Sequence, residues 1–176
     1  TVDASDTDQA TGFAINPNDG GADDLLIKNN ELGYAETGAL RLISNSNVTV
    51  EGNTISSTLG ASSTGGIGIA VDGGDNISIT ENTISDASNA GIQASTDDSS
   101  GRGDSLSNLD ISLNSITDNP YGVVVGKFGD TSITSVTINQ NNLQNNTENG
   151  VLTVGGITKV DATNNWWGNS DVSSGS

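Results

Sequence analysis

The chain of 176 residues carries 5 Lys and Arg against 22 Asp and Glu, a net charge of -17, and has neither cysteine nor histidine. That balance excludes a nucleic-acid surface, which needs clustered Lys and Arg to displace counterions, and it opposes contact with anionic membranes. Disulfides, thiolate metal centres and imidazole ligands are excluded as well. The charge fits adaptation to high salt, where it is screened within a few ångströms, or a surface that gathers divalent cations; salt adaptation is preferred to plain acidic solubility. Aromatics are 3% and Gly numbers 23, so the core must be built from Val, Ile and Leu. No run approaches the roughly 18 apolar residues of a membrane span and no signal peptide is visible, so no membrane insertion is expected. Met is absent even at position 1, which points to a processed chain or an excised piece.

In chain order, residues 1–9 (T-V-D-A-S-D-T-D-Q) form an acidic segment without a repeat. Thr11 to Ile15 looks like the back half of a turn whose front half is missing or degenerate, so further coils are expected before residue 1. An eight-residue unit then recurs: L-L-I-K-N-N-E-L from Leu25, V-T-V-E-G-N-T-I from Val48, I-S-I-T-E-N-T-I from Ile77 and L-D-I-S-L-N-S-I from Leu109. It returns as V-T-I-N-Q-N-N-L from Val136 and, altered, as V-D-A-T-N-N-W-W from Val160. Positions one, three and eight are apolar throughout, and position six is always Asn: Asn30, Asn53, Asn82, Asn114, Asn141 and Asn165. A Gly-led apolar segment follows each unit. Self-similarity at this period marks a solenoid.

Each repeat predicts three short strands. The first points its two apolar side chains inward, because alternate residues share a face. The Asn at position six is expected to turn the corner in the left-handed conformation, position eight opens the second strand, and the Gly-led segment makes the third. Coils about 4.8 Å apart would stack the Asn column into a buried ladder, since unpartnered buried amides cost about 1–3 kcal/mol each.

This Asn-punctuated pattern resembles the right-handed parallel β-helix family, the fold of pectate lyases and many surface proteins, over about residues 10–168. The ending Asp161 to Gly168 (D-A-T-N-N-W-W-G) is similar to the closing motif of secreted β-helix repeat proteins of archaea and bacteria. The expectation is an all-β right-handed parallel β-helix of about six coils over 10–168, followed by a polar tail at 169–176. The resemblance implies a fold that hosts lyases, hydrolases, adhesins and inert rods alike, so function has to be argued from sites.

Connections of 16–24, 95–108 and 126–135 are longer than the others, and 56–65 is inserted between strands two and three of its own coil. Long loops in repeat proteins carry function disproportionately. Loops 95–108 and 126–135 leave consecutive coils at the same corner and should touch. They supply Asp97, Asp98, Arg102, Asp104, Lys127, Phe128 and Asp130, a set suited to a sugar acid. Asp97, Asp98 and Asp104 could hold Ca²⁺ through oxygen ligands, although no cofactor is required. The competing reading is a solvated loop pair whose internal ion pairs contribute little.

Catalysis on the outward face of strand one finds little support. One row reads Leu26, Thr49, Ser78, Asp110, Thr137 and Asp161, and the next Lys28, Glu51, Thr80, Ser112, Asn139 and Thr163. No two carboxylates occupy adjacent coils, and Asp110 and Asp161 stand two coils apart, roughly 10 Å, too far for a retaining pair and marginal for an inverting one. The Thr and Ser on that face are interrupted too often for an ice-binding ladder. Arg102-Gly103-Asp104 and the glycine-aspartate turn at Gly20 to Asp24 are explained by composition. Trp166 and Trp167 close the chain's last repeat, and Trp167, in the inward column, is expected to plug it. Asn47, Asn76 and Asn145 begin N-x-S/T sequons and are candidate glycosylation sites.

These features predict a non-catalytic extracellular or cell-surface module, a rigid structural or adhesive rod of a salt-adapted organism. Its expected partners are glycans at the long loops, upstream coils, or further copies stacking into filaments through open strand edges. The alternative class is a polysaccharide lyase or hydrolase related to pectate lyases.

Overall fold

The computed structural model describes residues 2–3, 13–17, 23–33, 35–59, 65–96, 105–127, 130, 132–155, 157 and 159–168. All regular structure among them is strand. The V-x-V alternation works as expected: Val48 and Val50 are buried, while Thr49 and Glu51 lie on the outer face. Every strand pairs in parallel with the equivalent strand of a neighbouring coil, as a solenoid requires. Along strand one the register runs Leu26, Thr49, Ser78, Asp110, Thr137 and Asp161. Strand two forms its own five-stranded sheet, from Val2–Asp3 through Glu31–Gly33, Thr54–Ser56 and Thr83–Ser85 to Ser115–Thr117.

Three turns, 48–71, 77–94 and 109–125, have all three strands paired on both sides. Toward the C-terminal end strand two shrinks to single bridges at Asn142 and Trp166. Against the expectation of about six coils, the described residues give three turns paired on both sides throughout. The turn at 25–42 has all three strands, its strand one paired on one side among the described residues, and strand two is abbreviated in the last turns. The short connections also behave differently from three separate strands. Gly38–Glu51 and Ile67–Thr80 are continuous 14-residue strands that carry strand three round the corner into the next strand one.

Single left-handed residues turn the corners. Between strands one and two they are Asn29, Gly52, Glu81, Leu113, Gln140 and Asn164, with φ between 56° and 64°. These hold position five, whereas the sequence had pointed to the Asn at position six. The left-handed residue turns the chain so that the next side chain enters the interior, and that side chain is the Asn. Non-Gly residues there cost about 1–2 kcal/mol each, offset by the bonds the following Asn makes. The corner between strands two and three uses Ser57, Asp86, Asp118 and Asn145 in the same way.

The Asn column forms a continuous relay. Each Nδ2 donates to the Oδ1 of the next coil's Asn at 3.0 Å, from Asn30 through Asn53, Asn82, Asn114 and Asn141 to Asn165. The same Oδ1 also accepts the preceding Asn's backbone N–H at 2.9–3.0 Å. A shorter second ladder joins Asn119 to Asn146 at 3.1 Å. Further along that column Thr58 is buried with its hydroxyl unpartnered among the described residues, because Ala87 offers no side-chain acceptor.

The core between the sheets is aliphatic, from Leu32 and Leu40 to Ile138 and Leu143. Glycine at the start of strand three leaves room for the position-eight side chain of the following coil. A Cβ on Gly91 would lie 2.5 Å from Ile116 Cγ2, and one on Gly150 would lie 2.7 Å from the Trp167 ring. Trp167 thus occupies the place that Ile116 fills two coils earlier, over the last layer of the core, but its ring stays 39% exposed where Ile116 is buried.

Candidate functional site

Strand three sets outward side chains in the row Arg41, Ala70, Gln93, Val124 and Leu152. Where this strand ends, the chain buries two carboxylates. Asp72 is 5% exposed; Arg41 Nε stands 2.7 Å from its Oδ2, and Ser95 Oγ donates to its Oδ1 at 2.7 Å. Lys127 Nζ lies 3.8 Å from the same Oδ1. Burying a carboxylate is costly unless it is both paired and hydrogen-bonded, and residues from four successive turns meet that requirement here.

Asp130 is 4% exposed and joins the starts of the two long loops. It accepts from Thr96 Oγ1 at 2.9 Å, from the Thr96 N–H at 3.3 Å and from the Lys127 N–H at 2.8 Å. The structure therefore brings Lys127 and Asp130 together at the expected corner, but buries Asp130 against Thr96 and the backbone, while Lys127, its side chain 37% exposed, lies over Asp72 at the surface. Asp97, Asp98, Arg102, Asp104 and Phe128 lie outside the described residues, and with them the whole proposed Ca²⁺ set. Among the described residues no group of three acidic side chains is arranged to hold a metal ion.

Beside this cluster a shallow groove of about 300 Å³ runs over the outer face of strand three. Asn89, Gln93, Tyr121, Val124, Lys127 and Leu152 line it. It combines a ring and two aliphatic side chains with two amides and an ammonium, the mixture that takes a polar ring-shaped ligand: apolar faces on the ring, hydroxyls on the amides. Residues 5–167 match the family described as a right handed beta helix region. The chain belongs to the right-handed β-helix family. No curated protein and no solved structure matches it.

Elsewhere among the described residues several charged groups are engaged. On strand one, Lys28 and Glu51 form an ion pair at 2.7 Å, and Asp110 accepts from Ser112 Oγ at 2.8 Å. Asp161 accepts from the Thr163 N–H at 3.1 Å. No two carboxylates of the strand-one rows oppose each other across adjacent coils. At the corner before strand one, Asp75 accepts from Ser107 Oγ and Asn108 Nδ2, and these two bonds hold its carboxyl below the usual range.

Sequence reasoning overlooked Arg41, Asp72, Ser95, Gln93 and Tyr121 because it sought chemistry in the long loops and on strand one. One signal was available. Asp72 follows Val71, the last inward residue of strand three, where a lone carboxylate beside a short connection asks for a partner; Arg41 is one of only five basic residues.

Proposed function

We propose that this β-helix is a non-catalytic extracellular or cell-surface module, a stiff rod that offers its strand-three groove to a glycan. One observation carries the reading: Tyr121, Gln93 and Asn89 line a groove next to the Arg41–Asp72–Lys127 cluster. Within that cluster two cations face one carboxylate, so the groove offers an ammonium beside its hydrogen bonds and stacking surface. The ladder and the continuous 14-residue strands supply stiffness. A net charge of -17 suits a protein working in high salt.

A second reading, a polysaccharide lyase or hydrolase, draws on Lys127 and Tyr121 lining the same groove, since both side-chain types serve as general bases. Incubation with neutral and acidic polysaccharides separates the two. Retention on immobilised glycan with no new chain ends supports the rod; depolymerisation that disappears in Lys127→Ala and Tyr121→Phe supports the enzyme.

A further inference from the structure

We infer that Asn145 is the position at which this chain carries an N-linked glycan, and that the exposed Trp166 indole is the surface its first sugar covers. Composition alone accounts for three sequons in so Asn- and Thr-rich a chain, so the discrimination rests on geometry. Asn47 and Asn76 sit on successive rungs of an outer ladder. Asn47 Nδ2 donates to Asp24 Oδ1 at 3.1 Å, and Asn76 Nδ2 donates to Asn47 Oδ1 at 2.8 Å. Rungs are about 4.8 Å apart, so a sugar on either nitrogen would occupy the space of the neighbouring amide. The middle residues of those sequons, Val48 and Ile77, are buried core residues, 1% exposed each. Their hydroxyl residues, Thr49 and Ser78, lie inside the ten-stranded sheet, paired on both sides.

Asn145 shares the left-handed backbone of Asn47 and Asn76 (φ 61° against 55° and 54°) and their exposure, but it lies in the turn at 144–145, outside any strand, whereas they lie within continuous strands. Neither its amide nor the exposed Thr147 hydroxyl has a hydrogen-bond partner among the described residues. Both side chains that an N-glycosylating enzyme must engage are thus available, while the middle residue of the sequon, Asn146, stays tied into the second ladder through Asn119.

Trp166 makes the position more specific. Its ring is 57% exposed, an unusual state for one of only two tryptophans. Its Nε1 donates to Gln144 Oε1 at 3.4 Å, which holds the indole beside the residue preceding Asn145. A flat apolar face bonded to the residue that precedes the sequon suits the C–H face of a pyranose.

The test incubates the purified, folded chain with an oligosaccharyltransferase and its lipid-linked donor, and maps occupancy by glycopeptide mass spectrometry. Peptides of the three sequons, all of which the enzyme modifies, serve as controls. Occupancy at Asn145 at least tenfold above Asn47 and Asn76, abolished by Thr147→Ala, is expected. Comparable occupancy at the three sites, or none at Asn145, overturns the assignment. The attached glycan is also expected to raise the thermal midpoint, and Trp166→Ala to remove that rise while leaving occupancy unchanged. An equal rise in Trp166→Ala overturns the role given to the ring.

Discussion

Asn82 and Asn114 are joined twice through one oxygen. The Asn82 side chain donates to Asn114 Oδ1 at 3.0 Å and the Asn82 backbone N–H donates to it at 2.9 Å. Asn82 Nδ2 also lies 2.9 Å from the carbonyl oxygens of Val50 and Thr80, so a single amide ties three turns together. Removing one Asn therefore strands donors and acceptors above and below it. Asn114→Ala is expected to destabilise the fold by about 2–4 kcal/mol, on the usual 1–3 kcal/mol per buried unsatisfied group. Asn165→Ala, at the half-buried end of the relay, should cost less than half of that. Urea denaturation of both variants checks the gradient; equal losses at centre and end would mean that the ladder is not cooperative.

At Asp72 the loss comes from a different source. Asp72→Ala leaves Arg41 without its closest carboxylate, and breaking a buried pair costs about 3–5 kcal/mol. The Arg41 side chain is 27% exposed, so solvent screening places the expected loss at or below the lower end of that range. A double-mutant cycle with Arg41→Ala should return a coupling of more than 1 kcal/mol. Independent, additive effects would show that the pair is incidental.

Gly91→Ala tests the packing of one coil on the next. The added methyl would meet Ile116 Cγ2 at 2.5 Å and the Gly122 carbonyl oxygen at 2.9 Å. Overpacking of this kind costs about 1–3 kcal/mol. Pairing it with Ile116→Ala, which removes Cγ2, should cost less in a thermal melt than the sum of the two single losses.

The solenoid was legible because its determinants repeat. Inward Val, Ile and Leu alternate in every copy, and Asn is compulsory at position six, where only an amide can donate and accept along the axis. The left-handed corner was not legible, because position five accepts Asn, Gly, Glu, Leu and Gln, and the backbone rather than the residue type sets it. The second ladder was hidden because only Asn119 and Asn146 carry it, while Thr58 and Ala87 hold the same column. Arg41 and Asp72 escaped notice for a geometric reason. Residue 72 pairs in register with Ile43, so Arg41 reaches it diagonally, and no column of the repeat aligns them.

Acid should weaken one corner first. The bonds from Ser107 and Asn108 depress the Asp75 carboxyl in the folded chain, so the unfolded chain binds this proton more readily. Its contribution to stability is present above the ordinary carboxylate pKa and is lost as pH falls through the lower, folded value. Asp75→Asn should therefore flatten the decline of the thermal midpoint below about pH 4. An unchanged acid limb in the variant would remove Asp75 from the explanation.

Calorimetric titration of the intact chain with neutral and uronate oligosaccharides, in low and high salt, is the decisive comparison with Tyr121→Ala. Saturable binding that weakens at least tenfold in the variant, with the oligosaccharide recovered intact, is the predicted result. Cleavage of the oligosaccharide, or binding that Tyr121→Ala leaves untouched, would contradict a non-catalytic rod that holds glycan in its strand-three groove.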